Sequence, residues 1–225
     1  MSHFHITPIS PISPITLNYP ITPISPISPI TPIKKPNPKK TMKNNFIHQR
    51  GNYKNLIAYK KAECIYDITY YFAHKFLNKG DRTVDQMIQA ARSGKQNIAE
   101  GSSASSTSKE TELKLTNVAK ASLQELLVDY EDYLRVRNLE QWEVNSDKAI
   151  RTREVCRKHS DSAYFREAIA IRSDETIANI AITLIHQTDM LLRRLIERQK
   201  IEFLTKGGIK EEMYSARKEW RKNNL

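Results

Sequence analysis

The chain has 225 residues, a net charge of +11 and a pI near 9.6, with 39% hydrophobic and 27% charged residues. That length holds one good-sized domain with appendages, or at most two small ones. Two cysteines, Cys64 and Cys156, exclude a disulfide framework, and no apolar run approaches the length of a membrane span or takes the form of a secretory signal. The expectation is a cytoplasmic protein with reduced thiols, and the basic balance points to an anionic partner.

All ten prolines lie between Pro8 and Pro38, in triplets Pro-Ile-(Ser/Thr) that run through Pro32-Ile33-Lys34. Leu17-Asn18-Tyr19 departs in identity but keeps the register. Such triplets favour polyproline II, and nothing here covers the isoleucines, so residues 1–41 read as a disordered tail: a PxxP ligand, a spacer, or low complexity without a dedicated role. The implied nine-nucleotide period is that of a tandem DNA repeat, which makes Met42, after "KKPNPKK", a candidate start. Four of the eleven net positive charges lie within residues 1–41, so the rest of the chain keeps +7.

After Gly51 the prolines stop and apolar residues recur every three or four positions. The spacing predicts a first helix from about Tyr53 to Leu77, ended by "NKGD" with Gly80 in a left-handed conformation. A second runs from about Arg82 to Glu100, with Gly101 just past its end and Ser102 to Ser106 as a loop. Thr107 and Glu110 have the spacing of a capping box at the start of a third helix, which reaches about Arg137. The last long helix, about Asp174 to Arg198, repeats Ile177, Leu184, Leu191 with Ala181, Thr188, Leu195, the seam of a bundle. The predicted fold is all-α: an antiparallel up-down four-helix bundle over 52–199. A long helix 3–4 connection at 138–173 carries short helices near 148–158 and 162–171, and a basic C-terminal suffix at 200–225 holds a hinge and a short helix.

"QMIQAARSGKQNIAEG" at 86–101 and "NVAKASLQELLVDYEDYL" at 117–134 resemble a bacterial four-helix-bundle family. That family includes proteins encoded in intervening sequences of 23S ribosomal RNA genes and accessory variability determinants of diversity-generating retroelements. The resemblance spans about 53–198. Its structural motif residues here are Gln86, Asn97, Glu100, Gly101 and Glu125, and the end of the chain is similar to a longer subgroup with a C-terminal suffix. Where most relatives carry an apolar residue and a proline, this chain has Gly94 and Lys95. The resemblance implies a homopentameric ring without enzymatic activity and, for the retroelement branch, binding of RNA and a reverse transcriptase.

The Gly94-Lys95 pair is no phosphate loop: Gln89 and Gln96 stand where a Walker motif needs Gly and Ser or Thr, and a helix precedes it instead of a strand. No Glu stands three residues before His48, His74, His159 or His186, so the Glu-x-x-His pairs of a di-iron bundle are missing. Cys156 and His159 make half a zinc site without a second pair nearby, so neither metal nor other cofactor is expected. Glu125, Asp129 and Asp132 share one helix face and are expected to bridge to basic groups on another helix or subunit. His186 reads as an outer-face polar residue, Asn97 and Glu100 as holding the helix 2–3 corner, and Tyr66, Tyr70 and Tyr71 as core-edge packing rather than base-stacking groups.

The basic residues expected to meet nucleic acid are Arg82, Arg92 and Lys95 on helix 2, Arg193 and Arg194 on helix 4, and Arg217, Lys218, Arg221 and Lys222 in the suffix. The expected function is non-enzymatic RNA or other nucleic-acid binding by a homo-oligomer. The alternative is a protein–protein scaffold, an accessory subunit of a reverse transcriptase or ribosome-related complex, with the suffix helix docking on the partner.

Overall fold

The computed structural model describes residues 52–224, and among these every regular element is helical. The Pro-Ile array and the candidate start at Met42 lie outside the described residues. After a 3-10 turn at Tyr53–Asn55 come α1 (Ile57–Phe76), α2 (Arg82–Ala104), α3 (Lys109–Val136), α4 (Asp147–Lys158), α5 (Ser162–Ile169), α6 (Asp174–Lys206) and α7 (Ile209–Asn224).

Short polar side chains start five of these helices. Asp81, Ser108, Ser146, Asp161 and Ser173 each accept a hydrogen bond from a first-turn backbone N–H, satisfying a donor that has no partner within the helix. The cap of α3 is therefore Ser108, which accepts from Thr111 N at 3.1 Å, and not Thr107, whose hydroxyl donates back to the Ala104 carbonyl at 3.2 Å. Leu56 leaves the helical region at ψ 123°, which separates the 3-10 turn from α1, so the predicted start at Tyr53 moves to Ile57. Gly80 adopts φ 91°, as its place after α1 requires.

Gly101 does not end α2, which continues to Ala104. It is buried where α2 crosses α3: a Cβ there would lie 3.3 Å from the Glu112 carbonyl oxygen and 3.4 Å from Leu115 Cβ. Gly94, two turns earlier, is closer still, since a Cβ would meet Leu123 Cδ2 at 2.7 Å. These glycines let the two helices approach.

α1 and α3 each pack against both α2 and α6. Pairs along α3 and α6 show the two running antiparallel: Lys109 with Glu202 at one end, Gln124 with Asp189 midway, Tyr133 with Asp174 at the other. Ile65, Ile68, Phe72, Met87, Ile98, Leu123, Leu126, Tyr130, Leu134, Ile177 and Leu184 fill the space between, all at most 2% exposed. Burying each such large side chain contributes about 1.5–3 kcal/mol. At the Lys109 end the core closes with polar groups: buried Gln199 donates to Glu112 Oε1 and Thr116 Oγ1, both at 3.1 Å.

The 138–173 connection forms its two short helices close to the predicted positions, α4 against α6 and α5 against α1. Buried Lys61 fastens it to α1, donating to the carbonyls of Cys156 and His159 at the end of α4. α6 runs past Arg198 without a break to Lys206, where Gly207 at φ 73° ends it. α7 then extends with no buried residue.

Candidate nucleic-acid interface

The outer face of α1 carries rings at consecutive turns. Tyr66, Tyr70 and His74 are four residues apart, so one helix face displays all three. The Tyr66 and Tyr70 centroids are 6.3 Å apart, those of Tyr70 and His74 4.3 Å. Tyr66 and Tyr71 pack half-buried against the core, as expected of core-edge residues, whereas Tyr70 is 51% exposed. His74 Nδ1 lies 2.8 Å from the Tyr70 carbonyl, and because a carbonyl only accepts, Nδ1 donates this bond.

Three cations flank this ladder from three helices. Lys95 of α2 places Nζ 4.1 Å from the Tyr66 ring centroid. Lys75 of α1 lies 4.9 Å from the Tyr71 centroid, donates to the Tyr71 hydroxyl and reaches the Ala170 carbonyl at 3.5 Å. Arg166 of α5 pairs with Asp67 at 3.6 Å while remaining largely exposed. Between α1 and α5 lies an open groove of about 920 Å³ lined by Tyr66, Tyr70, Tyr71, His74, Lys75, Arg166, Ile169 and the Asp67 carboxylate. Exposed π-faces edged by cations suit unpaired bases, whose rings stack while their phosphates take the charges.

None of the nine basic residues expected at an interface lines this groove; Lys95 meets it through the Tyr66 ring. Arg82 and Arg92, both exposed, lie ten residues apart on α2, a separation of about 15 Å along the axis. Arg193 is held by Asp189 at 2.7 Å, and Arg194 is exposed beside it on α6. Arg217, Lys218, Arg221 and Lys222 are exposed on α7. These nine are spread over three helices, α2, α6 and α7.

The motif residues have separate places. Gln86 and Glu125 line a groove of about 650 Å³ between α2 and α3 with Asp85, Gln89, Ala90, Ser93, Ser122 and Asp129. Ser93 and Ser122 join their hydroxyls at 2.9 Å across the helix crossing, and Asn97 donates to Ser93 from one turn later. Asn97 thus braces the middle of α2 instead of its corner with α3, and Glu100 is exposed. Burial, then the neighbouring Asp132 and Glu125 carboxylates, raises the Asp129 pKa above the usual carboxylate value. Asp132 bridges to Arg135 on its own helix, while Glu125 and Asp129 have no ion-pair partner among the described residues of the same chain, so the expected bridge to another helix is not formed there.

Burial pushes the Cys156 and Cys64 thiols up to about 12, so neither is a ready nucleophile or metal ligand. Among the described residues no cluster of three or more His, Cys, Asp or Glu is arranged to hold a metal ion, and no helix is long and apolar enough to cross a membrane. The groove on α1 was half visible in the sequence, through the i, i+4 tyrosines. Two of its three flanking cations, Lys95 and Arg166, come from α2 and α5, whose approach only the fold reveals. No protein-family model, curated protein or solved structure matches the chain.

Proposed function

We propose that the protein is a non-enzymatic, oligomeric nucleic-acid-binding bundle, built as an antiparallel up-down four-helix bundle from α1, α2, α3 and α6. It takes unpaired stretches of RNA on the outer face of α1. The observation that carries this reading is the ladder of half-buried Tyr66 and exposed Tyr70 and His74, with Lys75, Lys95 and Arg166 at its edges. Bases stack on the rings, and phosphates meet the three cations. The net charge of +7 on residues 42–225 adds a long-range attraction for polyanions. The motif resemblance at 86–101 and 117–134 supports the same reading, and with it a homopentameric ring that would multiply the groove.

Filter binding of the nuclease-treated full chain to a single-stranded oligonucleotide tests it. Binding should weaken steeply as salt rises, and an equal-length duplex should bind less tightly. Absence of binding at low salt, or affinity indifferent to salt, would remove the proposal.

A second reading draws on a different observation. Met213, Tyr214 and Trp220 of α7 are 41%, 69% and 58% exposed, as a helix that docks on protein would leave them when free.

A further inference from the structure

α7 carries Ile209, Met213, Ala216 and Trp220 at spacings of four, three and four, a single apolar seam. None of its residues is buried. A lone seam of under two heptads does not hold a helix in water, so its stability calls for a preformed surface that covers it. Its second half is cationic, with Arg217, Lys218, Arg221 and Lys222 against one acid, Glu219. The covering surface should therefore be a helical groove with small residues at its floor and carboxylates on its walls.

The α2–α3 groove has that character. Ala90, Ser93 and Ser122 form its floor, and Asp85, Glu125 and Asp129 stand at its sides. Val118, one turn before Ser122 and two turns before Glu125 on the same α3 face, is 41% exposed. The raised Asp129 pKa fits carboxylates crowded together without a cation. Lengths agree: Val118 to Asp132 spans about 21 Å of α3, and Ile209 to Trp220 about 17 Å of α7.

The helix does not reach this groove within its own chain. α6 leaves alongside the start of α3, where Glu202 meets Lys109, and Asp129 lies twenty residues further along α3, about 30 Å away. The 16 residues of α7 cover only about 24 Å. A second copy meets no such limit.

We propose that α7 of one copy lies in the α2–α3 groove of a second copy, its apolar seam on the small residues and its basic half against Glu125 and Asp129. The contact joins two different surfaces, so repetition closes a ring or extends a filament. It leaves the α1 groove free and does not depend on nucleic-acid binding.

Sedimentation equilibrium on nuclease-treated full chain tests the contact with two double variants. Met213→Asp/Trp220→Asp spoils the helix, and Glu125→Lys/Asp129→Lys spoils the groove. The wild-type mass should be at least twice the 26.0 kDa of one chain, and each variant alone should sediment as a monomer. Mixed one to one, they should form a heterodimer, since one supplies an intact helix and the other an intact groove. A monomeric wild type, either double variant alone keeping the wild-type mass, or a mixture that stays monomeric overturns the proposal; a groove variant that keeps the wild-type mass would mean that α7 pairs with α7. Circular dichroism checks the folding of both variants. If the groove variant loses helix, the exposed single change Glu125→Gln replaces it, and unchanged association then counts against the proposal.

Discussion

The Tyr130 hydroxyl donates to Thr69 Oγ1 at 3.0 Å inside the core, joining α3 to α1 where both side chains are fully buried. Burial raises the phenol pKa well above its usual value, so the group stays a neutral donor throughout the working range. Tyr130→Phe keeps the ring against Phe72 and removes only this bond. Urea unfolding should show a loss of about 1 kcal/mol with an unchanged m-value.

Gly94→Ala sets two effects against each other. Alanine in a helix interior gains about 1 kcal/mol over glycine, but the added methyl falls 2.8 Å from Leu123 Cγ, which is fully buried and has no room to withdraw. Overpacking of this kind costs about 1–3 kcal/mol, so the net effect should be destabilising. Combining Gly94→Ala with Leu123→Ala should give less than the sum of the single losses, because the new methyl occupies part of the space vacated.

Ser108→Ala removes the side chain that caps α3 and should cost about 1 kcal/mol by thermal or urea unfolding. Thr107→Ala removes only an exposed hydroxyl bonded to a carbonyl and should cost clearly less. Equal losses would restore Thr107 as the cap.

Asp129 gives a pH signature. Its folded pKa is raised by burial and then by Asp132 and Glu125, with Asp85 of α2 lining the same groove. The native state therefore holds this proton to higher pH than the unfolded chain. The resulting penalty is absent below the unfolded pKa and fully present above the folded one. In the Met213→Asp/Trp220→Asp background, where no basic helix of a second copy reaches Asp129, Asp129→Asn should raise stability at neutral pH, and the gain should vanish as pH falls through the carboxylate range. Unfolding midpoints measured across that range check both the sign and the window.

At the α1 groove, Tyr70→Ala should weaken single-strand binding by about tenfold, the scale of one lost stacking contact, with little change in salt dependence. Lys75→Gln or Lys95→Gln should instead flatten the salt slope by about one phosphate contact. Arg194→Gln, on α6 away from the groove, should leave both quantities near wild type.

Much of the helical layout was legible from spacing alone, because the apolar stripes of α1, α2, α3 and α6 are long and uninterrupted by proline. What misled was local chemistry with two solutions. Glycine at 101 reads as a stop, yet the approach of α3 needs a residue without a side chain there. Thr107 and Ser108 stand side by side with acids and N–H groups within reach of either, and only the chain's turn selects Ser108. α6 outruns its predicted end because Ile201, Phe203 and Leu204 continue the helix without being buried. The site was less legible than the fold. Net charge reports how many cations there are, and the burial of every element decides which of them stand beside exposed rings.

The short helices between α3 and α6 lay a second coat over part of α1, under α5, and part of α6, under α4. Amide hydrogens along the middle of α1 should consequently outlast those of α2 in deuterated water. Loosening the coat, by loss of the Lys61 ammonium anchor, should speed exchange on α1 first and spare the α2–α3 hairpin.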